Sequence, residues 1–200
     1  MTIVLLLALP VGALIGVVGI GGVLLPPALV WLAGLDPHAA AGTSSWCFLF
    51  TGLLGTVTYA RRRVLPWRLA TRLTAGAAPA AAVGALVNEA LPGGVLHLIL
   101  AAVTAGSGIH HLWFRSRATA DRSGLPTVAV VAVGAGVGFG SALTGTGGPV
   151  LLVPVLLTLG LSPLTTVAAS QLIQLPLVGS AALGYAVHDS VRFTLGTLLV

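Results

Sequence analysis

The sequence predicts an all-α fold, a polytopic bundle of transmembrane helices, and three observations carry that expectation. The chain has 200 residues, 56% of them hydrophobic and only 6% charged, whereas a soluble domain normally carries about 25% charged residues. Residues 1–35 contain no Asp, Glu, Lys or Arg, and neither do residues 123–188. Each run far exceeds the roughly 20 apolar residues that a helix needs to cross a bilayer. Glycine and proline interrupt the apolar runs at matching places in the two halves. A cleaved signal peptide does not account for the pattern, because apolar segments continue along the whole chain and no basic region follows Met1.

The segments follow in order. The first covers about 2–34 and is interrupted by Gly19, Gly21, Gly22 and Pro26-Pro27. The second runs about 38–60 and ends at Arg61-Arg62-Arg63, the third about 66–90, the fourth about 93–114. A polar linker, 115–124, divides a first repeat (1–114) from a second (125–200). Segment five covers about 125–160 and is interrupted at Gly145–Pro149; segment six runs about 163–187, and a seventh begins near Val191.

Net charge is +5, and every basic residue is an arginine at a segment end or in a short loop. That placement sets membrane orientation and offers no extended basic face, so nucleic acid is not an expected partner. If segments one and five each make one net crossing, all the arginines fall on one face, with Asp36, His38 and Glu89 opposite. The N-terminus and the Arg loops are then cytoplasmic in a cell membrane. If the interrupted segments cross twice, Arg192 moves to the other face. Cys47 is the single cysteine, so there is no internal disulfide, and it reads as a small buried hydrophobe. The four tryptophans read as interfacial anchors.

Shifting the chain on itself by 126 residues aligns Gly19-Ile20-Gly21-Gly22 with Gly145-Thr146-Gly147-Gly148, and Gly34-Leu35-Asp36-Pro37 with Gly160-Leu161-Ser162-Pro163. Ser44 meets Ser170, and Tyr59-Ala60 meets Tyr185-Ala186. Repeats with Gly- or Pro-broken helices at equivalent places point to a transporter's binding site. A helix stopped inside a bilayer leaves polar backbone groups that only protein or a wet cavity can satisfy, and a restarting helix favours an anion. The bland alternative is that the glycines only permit close helix packing. Four crossings per half give parallel repeats and five give inverted ones; the sequence leaves that open.

These residues, with Pro27, His38 to Ser44, Tyr59, Val64-x-x-Trp67-Arg68 and Pro154, resemble the TauE/SafE sulfite-exporter family over nearly the whole chain. The resemblance implies a multi-pass permease of about eight helices moving sulfite or related organosulfonates. Two departures stand out. Val23 and Pro149 replace a further glycine of the family pattern, and the chain stops at Val200, about ten residues into segment seven, as a truncated second repeat. The substrate-binding candidates are Gly19, Gly21, Gly22, Thr43, Ser44, Gly145, Gly147, Gly148, Ser170 and Gln171. Backbone N–H groups of the glycines and nearby hydroxyls would surround a small anion, while the bland reading has the hydroxyls bonded to helix carbonyls. No cofactor and no metal site is expected, and partners are the anion, the lipid bilayer and a homo-oligomer. An enzyme is disfavoured, since there is no Gly-x-Ser-x-Gly elbow. A permease for another solute or a metal ion, or a non-transporting scaffold, is the alternative.

Overall fold

The computed structural model describes residues 21–113, 126–186 and 191–198. A 3-10 turn, Gly21–Leu24, leads into α1 (Leu25–Ala33). There follow α2 (Pro37–Arg61), α3 (Trp67–Ala90), α4 (Gly93–Trp113), α5 (Thr127–Thr144), α6 (Pro149–Thr158), α7 (Pro163–Ala186) and α8 (Phe193–Leu198). The described residues are all-helical apart from turns and short connections. Three helices, Trp67–Ala90, Thr127–Thr144 and Pro163–Tyr185, are long and apolar enough to cross a membrane. α2 is as long, and its stretch Ala39–Ser45, which carries Thr43, Ser44 and Ser45, is buried among other helices. The first part of segment one, with Gly19, lies outside the described residues.

The helix boundaries follow local chemistry. Asp36 caps α2, its Oδ1 accepting from the amides of His38 and Ala39 at 3.0 Å each, and Pro37 occupies the first turn, where its missing N–H is harmless. The same arrangement opens α7, where Ser162 Oγ accepts from Thr165 N at 3.2 Å before Pro163. Gly34 and Gly160 end the short helices α1 and α6 with φ of +66° and +85°, a left-handed backbone that glycine adopts without strain. Gly34, Asp36 and Pro37 thus recur structurally at Gly160, Ser162 and Pro163.

The tightest packing joins α3 and α5. A Cβ on Gly134 would stand 2.2 Å from the Leu73 carbonyl oxygen, one on Gly138 2.3 Å from that of Ala77, and one on Gly76 2.1 Å from that of Val131. The two backbones touch because these positions have no side chain, as small residues allow between membrane helices. As the pairing advances from Leu73 to Gly84 it moves from Gly134 to Ala142, so α3 and α5 run in the same direction.

α2 and α7, by contrast, run antiparallel. Gln174 Nε2 donates to the Phe48 carbonyl at 2.8 Å, while Thr56, two turns further along α2, donates to the Gln171 carbonyl at 3.0 Å. At the far ends, Tyr185 of α7 donates to the Ala142 carbonyl. The next carbonyl, Leu143, accepts from Asn88, which also contacts His38 at the start of α2. Residues 126 apart, Phe48 and Gln174, therefore meet where their helices cross.

This geometry departs from the expected single crossing of segment five. α5 descends to the level of His38. The chain then climbs back beside α2, with Gly145 against Ala41 and Ser44 and Gly147 against Phe48, and α6 completes the return over about 15 Å. Segment five crosses out and back. Accordingly Arg192, whose amide donates to Thr43 Oγ1 at 3.1 Å, lies about 27 Å along α2 from Arg61, on the other face from Arg61–Arg63. The one-face placement of all arginines is overturned, and the two-crossing alternative describes segment five.

Replacing Gly134 with Leu forces a side chain into the Leu73 carbonyl. The expected outcome is a detergent-solubilised protein with a clearly lower melting temperature, by at least the about 1–3 kcal/mol typical of overpacking. Gly136→Leu, at a position with open space around it, should melt close to wild type.

Candidate functional site

The interruption between α5 and α6 is the centre of the site. Every residue from Ser141 to Val150 is buried, which is unusual for irregular chain, since connecting segments normally run over the surface. Gly145, Gly147 and Gly148 take φ of +66°, +80° and +103°, so the doubled-glycine sequence is required by the backbone path itself. A Cβ would also collide at two of them: 2.5 Å from Ala41 Cα at Gly145 and 2.6 Å from the Phe48 ring at Gly147.

A helix that ends inside an apolar region leaves its last carbonyls without intrahelical partners, and an unmet one costs free energy comparable to a lost hydrogen bond. Here some are met within the break itself, and three carbonyls by side chains of three other helices. Thr144 Oγ1 sits 2.9 Å from the Gly140 carbonyl, and the Ser141 carbonyl accepts from the amides of Gly145 and Thr146. Tyr185 of α7 donates to Ala142. Asn88 Nδ2 of α3 donates to Leu143 at 2.7 Å, while its Oδ1 lies 3.1 Å from His38 Nδ1. Ser44 Oγ of α2 lies 2.8 Å from the Gly145 carbonyl and 3.0 Å from that of Ala41. Sequence reasoning missed Asn88 and Tyr185. Asn88 is a fully polar residue one turn inside an apolar helix, and that was the available signal.

The two glycine motifs meet. A Cβ on Gly22 would stand 2.9 Å from the Thr146 carbonyl oxygen and 3.0 Å from the Phe48 ring. Phe48 thus lies against both motifs. Among the described residues, the amides of Gly147 and Gly148 meet no acceptor. Pro149, next in line at the start of α6, has no N–H to offer, so the donors here belong to the glycines.

The other candidates divide. Thr43 and Ser44 are fully buried, but Thr43 Oγ1 receives the Arg192 amide and Ser44 serves Gly145. Ser170 is fully buried and donates to the Val167 carbonyl at 2.8 Å, repeating Ser44 to Ala41 one repeat away. Gln171 packs against Gly55, nearer the α2–α7 crossing than the glycines. Gly21 opens the 3-10 turn; Gly19 lies outside the described residues. Cys47 is buried, its Sγ 3.4 Å from the Gly196 carbonyl. Trp31 and Trp67 are exposed, as anchors would be, while Trp46 is partly buried in edge-to-face contact with Phe50.

A small cavity adjoins this site. Pro26, Val30, Pro37, Ala40, Asn88, His97 and Thr144 line it, so it ends at the last residue before Gly145.

Buried, side-chain-capped helix breaks in a bundle of apolar helices define a polytopic membrane transporter. The chain belongs to the family described as "Sulfite exporter TauE/SafE", which matches residues 3–200. Its members are transporters and not enzymes. The chain is 32% identical to the "Probable membrane transporter protein YjnA" of Bacillus subtilis (strain 168) across 48% of this chain and 34% of that one. It is 28% identical to the "Probable membrane transporter protein YdhB" of the same organism, across 96% of this chain and 82% of that one. The chain thus spans about a third of the first relative and most of the second. No solved structure matches.

Removing one cap should loosen the break. Asn88→Leu leaves the Leu143 carbonyl unmet, and Tyr185→Phe does the same for Ala142. Each is expected to lower stability by about 1–3 kcal/mol, read as a lower melting temperature in detergent, whereas Thr58→Ala, at an exposed hydroxyl, should change little.

Proposed function

We propose that this chain is a secondary permease for small anions of the sulfite and organosulfonate class, and that the anion binds at the meeting of the two glycine motifs. The observation that carries this reading is the pair of amides at Gly147 and Gly148, buried, glycine-specific in backbone and without an acceptor among the described residues. An anion brings acceptors to such donors, and a buried amide left unmet is costly. The family description and the two curated relatives support transport; the anion class rests on the donors and on the family's name. Gly22 of the first motif closes the site from the other side, and the Phe48 ring must swing aside for a solute to reach the amides. Thr43, Ser44 and Ser170 then act chiefly by fixing the backbone around the anion.

The antiparallel, 126-residue correspondence of α2 and α7 favours an inverted repeat, with 1–114 as one unit and 125–200 as the equivalent of its first part. In such repeats the solute site lies at the repeat interface near the midplane, where Gly22 meets Thr146. We assign the protein to the cell membrane. The loop bearing Arg61–Arg63 and Arg68 is assigned to the cytoplasm by the excess of positive charge on that side.

The test is flux of labelled sulfite and labelled sulfoacetate in proteoliposomes. Wild type should move at least one of them. Gly148→Leu, strained at φ +103°, and Gly22→Leu, driven into the Thr146 carbonyl, should each lower flux at least tenfold in protein shown to be folded. Flux of neither anion through folded wild type would sink the assignment.

A further inference from the structure

We propose that Gln174 is a solute-binding residue whose side-chain oxygen accepts a hydrogen bond from the solute, so that the site selects small oxyanions carrying their own O–H donor. The inference rests on the anion-site reading above. Gln174 lies in the middle of α7 and is 1% exposed. Its Nε2 donates to the Phe48 carbonyl at 2.8 Å and to Thr51 Oγ1 at 3.1 Å. A carbonyl only accepts, so the amide cannot be turned over, and Oε1 is the atom left without a role on α2. That oxygen is buried and has no hydrogen-bond partner among the described residues. A buried acceptor of this kind is costly and calls for a donor from outside the chain.

The position of Gln174 ties this acceptor to the glycine motifs. Phe48 and Gln174 are equivalents in the 126-residue repeat and meet where α2 and α7 cross, the kind of repeat interface at which transporters bind their solute. The Phe48 carbonyl holds Gln174, while the Phe48 ring lies 2.6 Å from a Cβ built at Gly147 and 3.0 Å from one at Gly22. Leu177, on the same side of α7 and about 4.5 Å further along it, lies 3.1 Å from a Cβ built at Gly148. Gly52 makes room for the glutamine, whose Cγ stands 3.3 Å from where a Cβ would be. The amides of Gly147 and Gly148 only donate, and Gln174 Oε1 only accepts. A solute that meets both has acceptor oxygens at one end and an O–H at the other. Hydrogen sulfite and hydroxysulfonates have that pattern, whereas the sulfite dianion and plain alkanesulfonates lack the donor. An analogue without the hydroxyl leaves the oxygen unpaired, and such a mismatch is a strong source of discrimination.

The experiment is competition against labelled sulfite flux at mildly acidic pH, with the full chain in proteoliposomes. The competitors are 2-hydroxyethanesulfonate and 1-propanesulfonate, which match in charge and nearly in size and differ by a hydroxyl in place of a methyl group. Wild type should favour the hydroxyl compound at least about tenfold. Gln174→Met, which keeps the length and removes the oxygen, should shrink the preference to within about twofold, with 1-propanesulfonate competing as well as before. Gln174→Asn, which withdraws the oxygen by one methylene, should lower the preference at least about threefold and decides the matter if Gln174→Met does not fold. Equal competition or none in wild type, or an unchanged preference in either folded variant, would overturn the proposal. Equal weakening of both competitors in folded Gln174→Met would also overturn it, since that is the mark of a merely structural residue. Flux of sulfoacetate without sulfite sinks the donor requirement while leaving the anion site standing, whereas flux of neither removes both.

Discussion

A polypeptide that leaves the helical state inside hydrocarbon has no water to bond its carbonyls and amides, and the rest of this structure is arranged around that constraint. The break after α5 exposes the carbonyls of Ala142, Leu143 and Gly145, and they are met in turn by Tyr185, Asn88 and Ser44. These three side chains come from three helices. The break consequently fixes how α2, α3 and α7 stand around α5, and their packing keeps the break in one shape. Backbone contact between α3 and α5 at Gly76, Gly134 and Gly138 brings Asn88 close enough to reach Leu143. Small residues there serve packing, and glycines in the break serve conformation, so the same residue type carries two separate duties.

What the caps leave unmet is as informative as what they meet. Carbonyls at the end of α5 are bonded, whereas the amides of Gly147 and Gly148 are not among the described residues. The loop therefore presents donors to a solute and hides its acceptors behind side chains. An anion suits that polarity, and no buried cation is needed to hold it. On the proposed reading, a break with no fixed positive charge among its described residues would also let the anion leave, which a permease requires as much as binding.

Much of this was legible in the sequence, for physical reasons. Helix limits were readable within a few residues because Asp36-Pro37 and Ser162-Pro163 start helices, and Gly34 and Gly160 end them, by local chemistry alone. The break was readable because Gly-x-Gly-Gly cannot continue a helix cheaply. Two things were not. Whether segment five crosses once or twice depends on where the chain goes after the break, and hydropathy is blind to direction. The roles of Asn88 and Tyr185 depend on neighbours 55 and 43 residues away, which a single sequence does not bring together. Ser44 and Ser170 were chosen as anion ligands, yet the structure shows their hydroxyls bonded to backbone carbonyls. Where a solute is absent, hydroxyls of this kind serve the helix.

The account depends most on the return crossing made by Gly145–Thr158, because it makes α2 and α7 antiparallel and brings the two glycine motifs together. Single-cysteine labelling tests it directly. In a Cys47→Ser background, Arg62→Cys and Arg192→Cys are exposed in turn to a membrane-impermeant thiol reagent in intact cells and in inverted vesicles. The account predicts that the two cysteines react from opposite sides, with Arg62→Cys reacting only in the inverted vesicles. Reaction of both from the same side would contradict it.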